Sequence, residues 1–500
     1  LLYGIVSGWN GKISGIEFPN CIDIKLVSMF EIPIHDVVFH SNSYCDVGGR
    51  LFWWQGELYR GITHSYASFC REILENGTVQ KLVDSHLLID TELTSWQLPG
   101  YAMVLQHRRL PFVCYASEWC PEMLRDAALF VTNMMMELLK DDLTLVDVSV
   151  WDLLFEDHRP IYVDFCTLER ADFDGDRAWI VFKNDFYCDF IYPLRLISEG
   201  YGNLVRWLMT CHENGAIRPE LWMLLGHPNL YTDLQREAGW RPTLTWRNAL
   251  AAIHPLTQRG FRTLRAALKP FGVDIQRRGS KLVQHLRSEV ERIELPALAP
   301  QVGFVQTPSR NPSPNWTSKQ CAVHRILSDL QPATVLDIGC HQGWYSLLAA
   351  FLGSRVVALD RDDRQVAHCY LAARQYSLPI LPIVMDIRNP SPSQGICNQT
   401  ISSALTRLPC MMVLALDLVH LLLFEQNLTF AQMSDTFAAF TKRWLLVEFV
   451  PLDNLGQFQY SPGNQVQYSL ERFVVALRHN FHSITIFEET TDSVLLLCEI

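Results

Sequence analysis

Three carboxylates in the last third of this chain, Asp337, Asp360 and Asp386, each close a short apolar run. Acids at the tips of buried strands are placed to accept hydrogen bonds from ribose hydroxyls. Gly339 and Gly343 lie between the first two, four residues apart, with Cys340, His341 and Gln342 enclosed. Glycine at such a turn opens backbone conformations closed to other residues and lets a ligand lie against the main chain. The apolar run before the turn and the spacing of Trp344, Leu347, Leu348 and Phe351 after it predict a buried parallel strand turning into a helix of about four turns. Residues 355–360 and 380–387 repeat the strand with its acidic end. Three such tips fit one nucleoside lying across the carboxyl edge of a parallel sheet.

A dinucleotide turn of the Gly-x-Gly-x-x-Gly kind sets its second glycine beside a pyrophosphate. His341 holds that middle position here. S-adenosylmethionine has no pyrophosphate and tolerates a side chain there, so the pattern favours a methyl donor over a nicotinamide dinucleotide or a ligand-free doubly wound domain. Trp344 either covers the site or belongs to the core.

On these residues, together with Trp316 to Gln320, Ala358 to Asp362, Ile380 to Pro390, Val413 to His420 and Trp444 to Pro451, the region from about residue 315 to residue 500 resembles the class I S-adenosylmethionine-dependent methyltransferases. It is more closely similar to the bacterial group that includes the nodulation protein NoeA. The resemblance implies an α/β, Rossmann-like domain with a doubly wound, mostly parallel sheet. It implies that Asp337, Gly339 and Gly343 line the methionine half of the cofactor, Asp360 binds the ribose, and Asp386 and Ile387 sit by the adenine. It also implies transfer to a small polar acceptor, such as a saccharide or glycolipid hydroxyl. A hydroxyl acceptor calls for a general base, usually histidine near neutral pH. His420, after the fourth strand, is the candidate; relatives often carry two adjacent histidines, and Leu421 takes the second place here. Asp417 and Glu448 are alternatives.

Further upstream, Asp147, Asp152 and Asp164 stand at the offsets of a catalytic loop and a metal-binding strand in phosphotransferases of the protein-kinase type. The stretch resembles that family and implies an α+β, kinase-like front domain, which relatives of the NoeA type share with Asn at the position of Asp152. Its departures matter. Cys166 replaces the glycine after Asp164-Phe165, Gly48-Gly49 is a thin phosphate loop, and Arg60 is the only basic residue near the expected lysine. Phosphoryl transfer relies on lysine and metal ions to offset charge. Mg-ATP, held by Asp152 and Asp164, therefore belongs to an alternative reading in which the protein is bifunctional. A further alternative is a cofactor-binding or interaction protein without turnover, and the acids could also be ordinary turn residues.

The elements around these sites divide the chain into an extension (1–36), the kinase-like domain (37–215), a helical connector and linker (216–314) and the methyltransferase domain (315–500). Alternation with turns at Gly8, Gly11 and Gly15 suggests an ancillary hairpin. Short antiparallel strands follow from Val38, then helices at 66–74 and 121–139 and the hairpin 145–165. Helices are expected at 190–208, 219–225, 245–268 and 281–293, the last packing between domains. Proline-rich stretches at 295–300 and 308–314 mark the linker.

A chain of 500 residues suggests two domains or three. With 49% hydrophobic and 19% charged residues, it is expected to be well packed and soluble. Net charge of −11 without a long basic block argues against nucleic acid as a partner. Fourteen cysteines without a Cys-x-x-Cys pair suggest neither a zinc module nor a redox dithiol, and point to reduced thiols in the cytoplasm. No run reaches the length of a membrane span, and the apolar start lacks the basic region of a signal peptide. Acceptor atom and oligomeric state are not encoded in these motifs.

Overall fold

The computed structural model describes residues 30–43, 46–146, 148–171, 176–211, 275–298, 308–455, 468–489 and 493–500. The expected hairpin before residue 30, the carboxylate Asp147 and the helices at 219–225 and 245–268 lie outside them.

The back half is built on seven strands in the spatial order Ile380–Val384, Arg355–Asp360, Thr334–Ile338, Cys410–Ala415, Thr441–Phe449, Val494–Glu499 and Ser483–Glu489. The first five run parallel, and Val494–Glu499 pairs antiparallel on both its sides. Strands covered on both faces must be apolar throughout. Accordingly all five residues of Ile380–Val384 are buried, as are four of the five in Thr334–Ile338. Pro382 is tolerated because its strand is at the sheet's edge, where the missing N–H interrupts no ladder on the outer side.

Helices flank this sheet. Ser318–Leu330 starts from a capping box between Thr317 and Gln320, and Asp363–Tyr376 from an Asp362 cap. The helix after the glycine turn, Trp344–Phe351, has eight residues instead of the four turns expected. Gly353, with φ of 107°, turns the chain back toward Arg355 before a longer helix can form.

In the front half an antiparallel sheet has the order Val38–Phe39, Gly49–Trp54, Glu57–Ile62, Met103–His107, Thr91–Leu93. Helices Ala67–Glu75 and Thr78–Asp84 follow its third strand, and the long helix Pro121–Leu138 packs below with the hairpin Leu153–Glu156/Arg159–Tyr162. The single helix expected over 190–208 is divided. A five-residue π turn, Tyr187–Ile191, precedes Tyr192–Ser198, and Gly200 at φ 91° separates that helix from Gly202–Cys211. Helix Ile275–Arg292, expected between the domains, lies instead along Pro121–Leu138. Val283, Leu286 and Val290 are buried there, Arg125 donates to the Glu291 carbonyl at 3.2 Å, and Arg287 bonds Asn133.

The two halves share one continuous apolar core. At their junction Arg407 and Glu118 form a buried ion pair, Asp126 accepts from the Tyr370 hydroxyl at 2.6 Å and from Arg374, and His158 Nδ1 lies 2.8 Å from the Leu378 carbonyl. Burial of both partners makes the first of these strongly orienting, because either charge alone in that position is costly.

Candidate functional site

In the back sheet the chain moves outward from Thr334–Ile338 in one direction, then returns to lay Cys410–Ala415 on its other side. In open α/β sheets that reversal leaves a crevice at the carboxyl ends of the two central strands. Asp337, Gly339 and Gly343 belong to one wall of the crevice, and Asp417, Leu418 and His420 to the other.

The glycine turn is fixed by backbone bonds to the neighbouring strand. Gly339 and Cys340 donate N–H to the Leu359 carbonyl at 2.8 and 3.0 Å, and Gly343 donates to the Cys340 carbonyl at 2.8 Å. Gly339 (φ 73°), His341 (φ 51°) and Gly343 (φ 85°) all lie in the left-handed region, which strains any residue with a Cβ. Glycine is also needed for space. A Cβ on Gly343 would fall 2.6 Å from the Cys369 sulfur, and one on Gly339 would sit 3.3 Å from Leu418. The side chain of Leu418 therefore closes on the turn from the opposite wall.

Asp337 is buried at 3% exposure, and Ser346 donates its hydroxyl to Oδ2 at 2.6 Å. Burial pushes this carboxyl up to about 6; the serine bond opposes the rise and the Asp360 charge adds to it. Asp360 accepts the His341 N–H at Oδ2 and the Asp362 N–H at Oδ1, both at 2.9 Å. Its carboxyl also lies above the usual range, mainly through burial. Asp386 is clasped by Arg388, whose Nη2 is 2.6 Å from Oδ2, and that bond holds its carboxyl low. Ile387 beside it is buried. The structure thus brings Asp337, Gly339, Gly343 and Asp360 into one bonded turn and sets Asp386 and Ile387 after the adjoining edge strand.

On the other wall Asp417 has φ of 56°, and its N–H donates to Glu448 Oε2 at 2.7 Å. Glu448 is 3% exposed, and the same oxygen is 2.6 Å from Lys319 Nζ. His420 is buried as the second residue of the helix Val419–Phe424. Burial lowers its pKa; Asp417, Glu448 and Glu425 pull it back up and Lys319 presses it down. A lowered pKa leaves the ring neutral and able to take a proton at pH 7. Tyr345 stands near Glu448, Asp337 and Asp417, with its phenol pushed up by burial and then by those charges. Trp344 is core, packed edge-on against Trp316 at 5.2 Å. Sequence spacing did not single out Lys319, Tyr345 or Ser346. A lysine in the first turn of a capped helix gives no local sign that it will meet an acid 129 positions away.

The residues fit a nucleoside donor on structural grounds. The Oε1 of Gln342, a residue only 7% exposed within the glycine turn, has no hydrogen-bond partner among the described residues.

In the front half Arg60, on the strand Glu57–Ile62, is buried between Asp46 and Asp164, with Nη2 3.2 Å from Asp164 Oδ1. Gly48 packs so closely on Cys166 that an added Cβ would lie 2.9 Å from its Cβ. Asp164 caps the turn Phe165–Thr167, and Asp152 accepts the Ser149 N–H at 2.8 Å. Among the described residues no group of three His, Cys, Asp or Glu side chains is placed to hold a metal ion. Nor is any helix among them long and apolar enough to cross a membrane.

No family model matches the chain. It is 25% identical over 434 residues to nodulation protein NoeA of Rhizobium meliloti (strain 1021), covering 83% of this chain and 85% of that protein. Such coverage exceeds what residues 315–500 alone can supply, so the likeness runs into the front half. Solved structures with partial similarity include monomeric WbdD (16% identity, TM-score 0.27), covering 36% of this chain and 40% of that one. Magnesium protoporphyrin IX methyltransferase ChlM from Synechocystis PCC 6803, with bound SAM, shares 16% identity at a TM-score of 0.24 over 36% of this chain and 76% of its own. TehB from Haemophilus influenzae shares 15% at 0.28, over 37% and 64%.

Proposed function

We propose that the back half binds S-adenosylmethionine across the crevice and transfers its methyl group to a hydroxyl of a small polar acceptor, of the saccharide or glycolipid class. The observation that carries this reading is the glycine turn braced onto the tip of the second strand through Leu359 and Asp360. Similarity to NoeA over most of the chain supports it, and the acceptor class rests on that relationship.

In this reading Gly339 and Gly343 admit the methionine half to the main chain beside Asp337. Asp360 keeps lone pairs for two ribose hydroxyls while its backbone bonds hold it in place. Ile387 offers an apolar face to the adenine, and Asp386 stays oriented by Arg388. Bound S-adenosylmethionine supplies an electrophilic methyl carbon on a positively charged sulfur. The protein need form no covalent bond, and much of the rate comes from holding the acceptor in line. Neutral His420 takes the proton from the acceptor hydroxyl as its oxygen gains the methyl group, and Asp417 and Glu448 favour the resulting imidazolium.

The front half, residues 37–215, is proposed as a kinase-like scaffold. A magnesium ion at Asp164 would compete with the guanidinium of Arg60, and the approach of Gly48 to Cys166 narrows the space a phosphate chain needs. Titration of S-adenosylmethionine into the full chain and into Asp360→Ala tests the main reading. Loss of charge-assisted bonds to the ribose predicts affinity about 10- to 100-fold weaker in the variant. Equal affinity in both proteins, or none in either, removes the basis for the assignment.

A further inference from the structure

Glu448 is an ionisable group almost wholly withdrawn from solvent at the end of the strand Thr441–Phe449. A buried carboxylate persists only where its charge is matched and its lone pairs are engaged. One oxygen, Oε2, has both: Lys319 Nζ at 2.6 Å and the Asp417 N–H at 2.7 Å. The ammonium also lies 5.7 Å from the ring centroid of Tyr345, on the helix that leaves the glycine turn.

The Asp417 N–H belongs to a strained turn. Its φ of 56° is unusual for a residue with a Cβ, and such conformations endure where the surroundings over-determine them. The same turn projects Leu418 onto Gly339 and starts the short helix bearing His420. Helix Ser318–Leu330 and the acceptor wall therefore meet at a single carboxylate oxygen, with Tyr345 beside the ammonium.

We infer that Lys319 is a positioning residue for methyl transfer: it holds the Glu448 side chain in place, and Glu448 in turn holds the Asp417 turn that sets His420 toward the acceptor and Leu418 against Gly339. The inference rests on the methyl-transfer reading for its consequence in turnover, but the latch itself is a property of the protein alone. Lys319 touches neither reacting atom in this scheme. Its loss acts through the geometry of the turn.

The test uses the full chain and three variants: Lys319→Met, Lys319→Arg, and Lys319→Met combined with Glu448→Gln. Amide exchange at Asp417, read without cofactor, is expected to accelerate about 10- to 100-fold in Lys319→Met, as for loss of a hydrogen bond to a charged acceptor. It returns toward the parent rate in Lys319→Arg. It returns also in the double variant, because a neutral amide carbonyl can accept the N–H without a counter-charge. Labelled-methyl transfer to fractionated cell extract is expected to show kcat about 100-fold lower in Lys319→Met, with KM for S-adenosylmethionine unchanged and with recovery in Lys319→Arg. Unchanged exchange at Asp417 in Lys319→Met would falsify the latch, as would a Lys319→Arg variant as impaired as Lys319→Met. A parent chain that bound no S-adenosylmethionine would defeat the cofactor reading instead, with the exchange result still deciding the latch.

Discussion

Replacing Asp337 by Asn separates the charge of the buried carboxyl from its shape. Asp337 is 3% exposed, accepts one serine hydroxyl, and feels the charge of Asp360. Its carboxyl rises from an ordinary 3.8 to about 6, and at about 1.4 kcal/mol per pKa unit that corresponds to about 3 kcal/mol. A raised folded-state value means the folded protein prefers the protonated acid. The contribution to stability is therefore complete below pH 3.8 and is lost as pH rises through about 6, leaving an ionised buried group above it. Asn cannot ionise, and its carbonyl can still accept from Ser346. The difference in stability between Asp337→Asn and the parent should shift in favour of the variant by about 2 kcal/mol between pH 4 and pH 7.5, the rest of the change lying below pH 4, whatever constant offset the amide introduces. Amide exchange over the strand Thr334–Ile338, compared across that range, reads the stability of this sheet directly. A difference that stays flat with pH, or that moves against the variant as pH rises, would refute the claim that this carboxyl is stranded from solvent and counter-charge.

Gly343→Ala combines a left-handed residue with a Cβ 2.6 Å from the Cys369 sulfur; left-handed strain of about 1–2 kcal/mol and overpacking of about 1–3 kcal/mol add to a destabilisation of about 2–5 kcal/mol. Urea unfolding checks it, and a variant as stable as the parent that still binds S-adenosylmethionine would show that neither the turn nor its closeness to the next helix matters. Arg60→Met leaves Asp46 and Asp164 facing each other without their cation, which should cost about 3–5 kcal/mol. If the scaffold reading is right, Mg-ATP leaves the parent's melting temperature unchanged; a rise that Asp164→Asn abolishes would restore the phosphotransferase alternative.

The strands and glycine turn of the candidate site were legible in sequence because their signals are local. A strand, a glycine turn and an acid at the next strand's tip follow one another within some 25 residues, and each constrains the backbone through its own chemistry. Strand identity was equally plain, since burial on both faces demands continuous apolar runs such as Ile380–Val384. What escaped was set by contacts distant along the chain. Helix Ile275–Arg292 shows regular apolar spacing, but spacing does not say which surface will cover it, and its partner is Pro121–Leu138. The break at Gly200 was hidden because apolar periodicity continues across it. Lys319 has no neighbour in sequence that marks it, whereas Glu448 at a strand end was at least visible as an acid in an apolar run.

The position of the junction between the halves bears on why a front half with its arginine already paired should accompany this crevice. Arg206 reaches Asp363 at 3.5 Å, three residues beyond Asp360; Asp126 takes Tyr370 and Arg374 on the same helix; Asp157 meets Arg355 at 3.2 Å at the start of the strand that ends in Asp360. These contacts hold the second strand and its following helix at both ends, and Phe155 packs edge-on against Tyr370 at 6.2 Å between them. Asp360 braces the glycine turn through the His341 N–H. The front half thus constrains the element on which the turn depends, on the side of the sheet assigned to ribose and adenine, while Asp417, His420 and Glu448 lie beyond the central strand. Packing on that side gives a reason for the likeness to NoeA to extend beyond the crevice itself.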